Sequence, residues 1–355
     1  MEWTPDPRCC SIRLAGRCPE EAPTMSLTYR RVNPLDHPAS IKRLFVEQGR
    51  PEFPAWFDRA YPVLVASGGS SWVAIDSAGN VQLHIATFPV QMRCRGTTIK
   101  AVLFSNLIAS ADHRNFLPAA GLLRQAVEGM KRDGRDVLYA PPGNDGALAV
   151  VRAAGFTVVG ASARFVQLTG DRRRLLDWAA GGVLAGRGII SRRRIRVERC
   201  DAREAVGQLA AIAAPRETAL EIVRAPELYE MRLAGFGGLE DVGFLIHDPN
   251  ETVVGAALLR VDRESRMARL VSIRCSSFGL VAAALRQLGR QARSLGMVRV
   301  SANVLVESAR ARALVKAGFR ERPETTPLTA QAFTDAGREA LALIGTSDIE
   351  DIDLD

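Results

Sequence analysis

The chain says the same thing twice, 162 residues apart. A helix-like run carrying Leu123-Arg124-Gln125 returns as Leu285-Arg286-Gln287, and each run ends at a glycine with the same offset, Gly134 and Gly296. A short apolar stretch and a second helical run follow in both places. They lead to Ala154-Gly155-Phe156 in the first half and Ala317-Gly318-Phe319 in the second, now 163 residues apart, so one residue has been inserted between the landmarks. Solenoid and propeller repeats have periods of about 20–50 residues, so a period this long belongs to two copies of a domain-sized unit. The 355-residue chain is long enough for two such units, each with its own core.

The pattern within each unit is mixed. In the first, Leu27–Val32 reads as a strand and residues 38–48 as a helix after Asp36-His37-Pro38, with further helical pattern over 54–66. Ser71–Asp76 and Val81–Thr87 read as strands around the turn Ser77-Ala78-Gly79-Asn80. Thr98–Ala109 is a long β-branched strand. Leu117–Arg132 has apolar residues at 119, 122, 123, 126, 127 and 130, a helical spacing. Val137–Ala140 then reads as a buried strand, Asp145–Ala154 as a helix and Phe156–Leu168 as a strand. The second unit repeats the order from about Ile195: strand 196–199, helix 202–213, helical pattern 226–234, a hairpin of Val242–His247 with Val253–Val261, strand 268–274, helix 279–294, strand 298–304 and helix 307–317. The fold class this predicts is α/β with a mixed α+β sheet in each of two tandem units.

The divisions expected are residues 1–24 as a leader outside the fold or an over-extended start, with Met25 a candidate first residue. A first domain over 25–170, an arginine-rich linker over 171–194, a second domain over 195–347 and an acidic tail over 348–355 complete them. No run of about 18 uncharged apolar residues occurs, so no membrane span is expected. The leader lacks the apolar stretch of a signal peptide, and the six cysteines at 9, 10, 18, 94, 200 and 275 form no CxxC pair. With four scattered histidines, neither a zinc site nor a disulfide framework is expected, and the cytoplasm is the expected compartment. The net charge of +8 comes from 43 arginines and 4 lysines spread along the chain. The dense part, Arg172-Arg173-Arg174, Arg187, Arg192-Arg193-Arg194 and Arg196, has no interleaved aromatics beyond Trp178, so it reads as a solvated linker and no nucleic-acid partner is expected.

The chemistry concentrates where strand 98–110 passes into helix 117–132, through Ser110-Ala111-Asp112-His113-Arg114-Asn115-Phe116-Leu117-Pro118-Ala119. A helix N-terminus leaves several backbone N–H groups unpaired and carries about half a positive charge, which suits a phosphate. Arg114 can add a charge-assisted bond, and Pro118 suits a first helical turn because its missing N–H is not needed there.

The pattern Arg114-x-x-Leu117-x-Ala119, then a strand, then Asn144-x-x-Ala147 and Ala154-Gly155-Phe156, resembles the GCN5-related N-acetyltransferases (GNAT). In that family a Gln/Arg-x-x-Gly-x-Gly/Ala motif at this junction holds the pyrophosphate of an acyl-CoA by backbone N–H groups, and the pantetheine lies between two splayed central strands. The resemblance covers about 27–170, with a second copy over about 195–347, and implies two tandem GNAT-like domains. It implies acetyl-CoA or another acyl-CoA as co-substrate, no metal, and direct attack by an amine of a small molecule or peptide. Carried over, Leu107, Ile108 and Ala109 offer backbone groups to the pantetheine. Arg114, Asn115, Phe116, Leu117, Pro118 and Ala119 cradle the pyrophosphate, and Asn144 sits near the thiol end. Two positions depart from the family: its first glycine is Leu117 here, and the tyrosine that often protonates the thiolate is Val151. The second copy reads Ile273-Arg274-Cys275-Ser276-Ser277-Phe278-Gly279-Leu280 at the same junction, without the motif, and has Leu314 at the tyrosine position, which marks it as degenerate.

The residues do not name a catalytic base. Glu52 and Asp58, in the region that forms the acceptor cleft in relatives, are the carboxylates to test. His84 and His113 read as structural, and Asn144 has a competing role as a helix N-cap. A non-catalytic CoA-sensing or scaffold protein and an aminoacyl or peptidyl transferase using tRNA stand as alternatives. The oligomeric state and the acceptor stay open.

Overall fold

The computed structural model describes residues 27–169, 195–212, 220–224, 226–233, 239–344, 347 and 349. The expected leader, the arginine-rich linker and nearly all of the acidic tail lie outside these residues. Within the first half, β1 (Thr28–Val32), α1 (Pro38–Glu47), α2 (Phe53–Ala66), β2 (Ser70–Ile75), β3 (Val81–Cys94), β4 (Thr97–Ala109), α3 (Phe116–Arg132), β5 (Val137–Ala140), α4 (Asp145–Ala153) and β6 (Thr157–Leu168) follow the predicted order. The second half runs β7 (Arg196–Cys200), α5 (Ala202–Ala211), β8 (Leu220–Val223), α6 (Pro226–Leu233), β9 (Leu239–His247), β10 (Val253–Asp262), β11 (Met267–Cys275), α7 (Phe278–Ser294), β12 (Arg299–Leu305), α8 (Ala309–Ala317), β13 (Arg320–Ala332) and α9 (Asp335–Leu343). The sequence reading assigned no element to β8, β13 or α9.

Among the described residues thirteen strands join one sheet in the order β1-β2-β3-β4-β5-β13-β6-β12-β11-β10-β9-β7, with β8 pairing β3 beyond the reach of β2. Each half builds an antiparallel meander that ends in one parallel pair, β4 with β5 and β11 with β12. The halves then exchange their last strands. β6 lies antiparallel to β12 from Leu168↔Arg299 to Ser162↔Leu305, while β13 lies antiparallel to β5 and to β6. The exchange places the two halves edge to edge, and their cores are built across the seam: Phe165 of β6 is buried with the second half's Val300 and Leu314, and Leu328 of β13 with the first half's Tyr139.

Helices cover the sheet in repeated positions. On α3 the residues Ala120, Leu122, Leu123, Ala126, Val127 and Met130 are buried, the apolar stripe of an amphipathic helix. They pack on Val102, Phe104 and Leu138 together with α4. The Trp72 ring of β2 packs against Gly129, where an added Cβ would come within 2.2 Å of the ring, so only glycine lets α3 dock this closely. In the second half α7 and α8 bury Leu285, Leu288 and Leu314 on β10, β11 and β12 in the same way. The opposite face of the first half is closed by α1, α2 and α9. No helix among the described residues is long and apolar enough to cross a membrane.

Candidate active site

The parallel ladder of β4 and β5 is short. It pairs Ala101↔Val137, Val102↔Leu138 and Leu103↔Tyr139, and goes no further although β4 continues to Ala109. Past Leu103 the two strands part. On its other edge β4 carries a bulge against β3, with Ala86 opposite Ser105 and His84 opposite Ile108. Asn106 in the bulge has φ +59°, a left-handed conformation that asparagine tolerates better than most residues. A bulge bends its strand and re-aims its side chains, and here it adds to the parting from β5.

The gap is a cavity of about 430 Å³. Ser105, Asn106, Leu107 and Ile108 of β4 line one wall, Pro141, Pro142, Gly143 and Asn144 after β5 the other, and Ala147 and Val151 of α4 part of the roof. The structure therefore brings Leu107, Ile108 and Asn144 to one cavity. Ala109 stands outside the lining, and its carbonyl already accepts from Gln48 Nε2 at 2.8 Å. Asn144 does cap its helix, its Oδ1 accepting from the Ala147 N–H at 2.9 Å. Val151, at the family's tyrosine position, faces the cavity with an apolar wall.

Arg114 to Ala119 do not line the cavity; they lie just past its Ile108 end, where the chain turns into α3. Asn115 is the N-cap, with extended backbone and no side-chain cap bond. Among the described residues no acceptor meets the backbone N–H of Arg114, Asn115, Phe116 or Leu117. Four consecutive donors therefore lie at the positive end of a 17-residue helix. The Leu117 side chain is 76% exposed and points away, which leaves its backbone accessible where the family has glycine. Arg114 is exposed, and among the described residues it pairs with neither Asp112 nor Asp136. The Asp136 carboxylate is instead engaged by the Lys100 N–H and the Thr334 hydroxyl. These features fit a pyrophosphate.

Behind the bulge lies a buried group that sequence reasoning treated as structural. His84 is fully buried. Its Nε2 lies 2.9 Å from Ser71 Oγ and its Nδ1 3.2 Å from the Asn106 carbonyl, so the ring ties β2 and β3 to the bulge. Burial lowers its pKa to about 4, against a smaller raising effect of the Asn106 carbonyl. Phe45 and Tyr61 pack their rings about 6 Å from it. The Tyr61 hydroxyl faces Asn106 without closing a hydrogen bond, and burial drives its pKa upward. Asp58 points to solvent and pairs with Lys42 at 2.5 Å, and Glu52 is exposed at the start of α2. Neither carboxylate lines the cavity, and His113 lies outside it with Nδ1 3.1 Å from Ser110 Oγ.

The second half shows what the same gap looks like when closed. The β11–β12 ladder stops at Leu270↔Ala302, and β11 runs on to Cys275. Into that notch α8 sends Arg310, 2% exposed, whose Nη1 donates to the Ile273 carbonyl at 2.5 Å. Ser308 caps α8 through Ala311 as Asn144 caps α4 through Ala147, so Arg310 holds the place of Gly146. The link from β11 to α7 is also only Ser276-Ser277, against six residues before α3. Among the described residues no group of three His, Cys, Asp or Glu gathers that could hold a metal.

No family model matches the chain, and no curated protein matches it by sequence. Solved structures do match by fold. A GCN5-related N-acetyltransferase from Anabaena variabilis superposes with a TM-score of 0.61 at 12% identity, over 87% of this chain and 74% of that one. Saccharomyces cerevisiae N-myristoyltransferase, solved with bound myristoyl-CoA and inhibitors, gives 0.54 at 10% identity over 94% and 89%. A tandem GNAT protein from the clavulanic acid biosynthesis pathway gives 0.50 at 13% identity over 86% and 98%. At such identities the likeness concerns the fold, and the fold of this chain is that of the GCN5-related N-acetyltransferases in its tandem form.

Proposed function

We propose that the protein is a cytoplasmic acyl-CoA-dependent N-acyltransferase. Its first repeat, placed at residues 25–170, takes acetyl-CoA or a related acyl-CoA, and its second, at 195–347, is a closed copy that supports the site. The observation that carries this reading is the first half's open notch between β4 and β5, set beside four backbone N–H groups and an Arg114 that have no partner among the described residues. In this reading Leu107 and Ile108 face the pantetheine with their backbone, Arg114 to Leu117 hold the pyrophosphate, and Asn144 borders the acyl end. A bound acyl thioester supplies an activated acyl group to an amine of a small molecule or peptide. The described lining contains no carboxylate and no histidine, so the amine loses its proton to water rather than to a fixed base. A non-catalytic CoA-sensing protein is the second reading. The apolar Val151 wall favours it, because nothing there protonates a leaving thiolate.

Calorimetric titration of the full chain with acetyl-CoA tests the cradle. The expected result is micromolar binding at about one site per chain, weakened roughly tenfold or more in Arg114→Ala by loss of one charge-assisted bond. No binding at millimolar acetyl-CoA would overturn the proposal. Binding without release of free thiol across an amine panel would favour the sensing role.

A further inference from the structure

A second cavity, of about 600 Å³, opens on the seam where the halves exchange strands. Its floor is one face of β13, β6 and β12. Arg164 stands opposite Asn303 and Val166 opposite Ser301 across the β6–β12 ladder. On the other side β13 bulges, because Glu321 pairs with Phe165 and Thr325 with Ala163, leaving Arg322 and Glu324 to rise beside Arg164. Arg299 closes the far end of the floor. Pro141 and Gly143 belong to this cavity and to the candidate active site alike, so the two spaces meet at the loop between β5 and α4.

The charge in this cavity is out of balance. Arg164, Arg299 and Arg322 face one carboxylate, Glu324, and among the described residues none of the three guanidinium groups forms an ion pair. Some exposed arginines elsewhere are paired, as Arg196 is with Glu251 and Arg263 with Glu240, but here three unpaired guanidinium groups share one concave surface. Like charges side by side on adjacent strands are destabilising, and a concave surface focuses their field. Hydroxyl and amide groups of Ser162, Ser301 and Asn303 border them. The size falls within the range of small-molecule sites, about 300–1,000 Å³.

We infer that this cavity is the acceptor site and that its acceptor is an amine carrying an anionic oxygen group, a carboxylate or a phosphate, held by Arg164 and Arg322. Paired guanidinium forks match the planar or tetrahedral oxygens of such groups. The anionic end sits on the β6–β13 seam and the amine reaches past Pro141 and Gly143 toward the β4–β5 notch. The acceptor role rests on the acyltransferase reading; the anion site does not.

The test titrates the full chain with O-phosphoethanolamine and with glutamate, with ethanolamine and spermidine as cationic controls that lack an anionic group. At least one of the two acidic amines is expected to bind, and the one that binds tells phosphate from carboxylate. Binding should weaken at least about tenfold in Arg164→Ala/Arg322→Ala and fall with added salt, while acetyl-CoA affinity stays unchanged. Both side chains are exposed, so the variant is expected to fold, and Arg164→Gln/Arg322→Gln serves as a second, bulk-preserving form. Absence of binding by both acidic amines, equal binding of the controls, or indifference to both double variants overturns the anion site, whatever acetyl-CoA does. Failure of acetyl-CoA binding with the acidic amine still bound would sink the acyltransferase reading alone. Acyl transfer, followed by thiol release, should favour the acidic amine that binds, through a lower KM; transfer to the control amines at equal KM overturns the acceptor assignment.

Discussion

Arg310→Ala is expected to destabilise the protein by about 2–5 kcal/mol, far beyond what an exposed arginine contributes. The side chain is 2% exposed and fills the space between two strands that no longer pair. Its removal leaves the Ile273 carbonyl without the Nη1 donor it has at 2.5 Å. Loss of a buried hydrogen bond made by a charged group costs roughly 1–3 kcal/mol, and the vacated volume adds a cavity term of similar size. Equilibrium denaturation of the wild type and the variant reads the difference directly; a loss below about 1 kcal/mol would mean that the notch relaxes around the gap. The first half supplies the reciprocal experiment. Gly146 stands where Arg310 stands, and a Cβ built there meets only its neighbour Asn144, at 3.3 Å. Gly146→Arg is therefore expected to reproduce the closed notch and to weaken acetyl-CoA binding by about a hundredfold or more, because the cofactor would have to displace a guanidinium. A calorimetric titration of that variant with unchanged affinity would show that the cofactor does not lie between β4 and β5.

The contrast between Arg310 and Gly146 shows what sequence reading reached. The repeat was legible because Leu-Arg-Gln recurs inside two helices that pack on the sheet and Ala-Gly-Phe marks the end of the helix that follows each of them. The amphipathic period of α3 and the apolar run of β5 placed the strand–loop–helix junction to within a residue or two. Leu107, Ile108 and Asn144 could be named only through the resemblance to the GCN5-related N-acetyltransferases, and all three line the notch. Arg310 could not, because an arginine in the first turn of a helix reads as solvated surface. Only the missing β11–β12 pairing, a tertiary fact, shows that it is buried. The exchange of β6 and β13 was equally hidden, since a last strand pairs with either half by the same backbone hydrogen bonds and its pattern does not say which. β8 is four residues long and pairs with β3 of the other half, too short for a period to register. Asn106 escaped for a different reason. It sits in the second half of a strand that reads as one continuous extended run, and the bulge that turns it to φ +59° comes from the register between β3 and β4.

That bulge is also where acid should act. His84 in the folded protein has its pKa lowered to about 4 by burial, from an ordinary value of 6.5. The neutral ring is the form the fold holds, between the Ser71 hydroxyl and the Asn106 carbonyl. The unfolded chain binds a proton at this residue near pH 6.5, whereas the folded chain resists it until about pH 4. Stability from this group is therefore fully present above about pH 6.5 and is lost progressively as pH falls through the window down to about 4. The full loss is of order 3 kcal/mol. Denaturation midpoints taken from pH 7 to pH 4 are expected to fall, and in His84→Gln, which keeps a polar side chain of similar reach but does not titrate, the slope over that window should flatten. Parallel slopes for wild type and variant would assign the acid sensitivity elsewhere. Because the ring holds the Asn106 carbonyl, its protonation also bears on the wall of the notch. Acetyl-CoA affinity of the folded wild type should therefore hold above about pH 5 and weaken only as pH approaches about 4, where the folded ring takes up its proton, and in His84→Gln that fall should be absent.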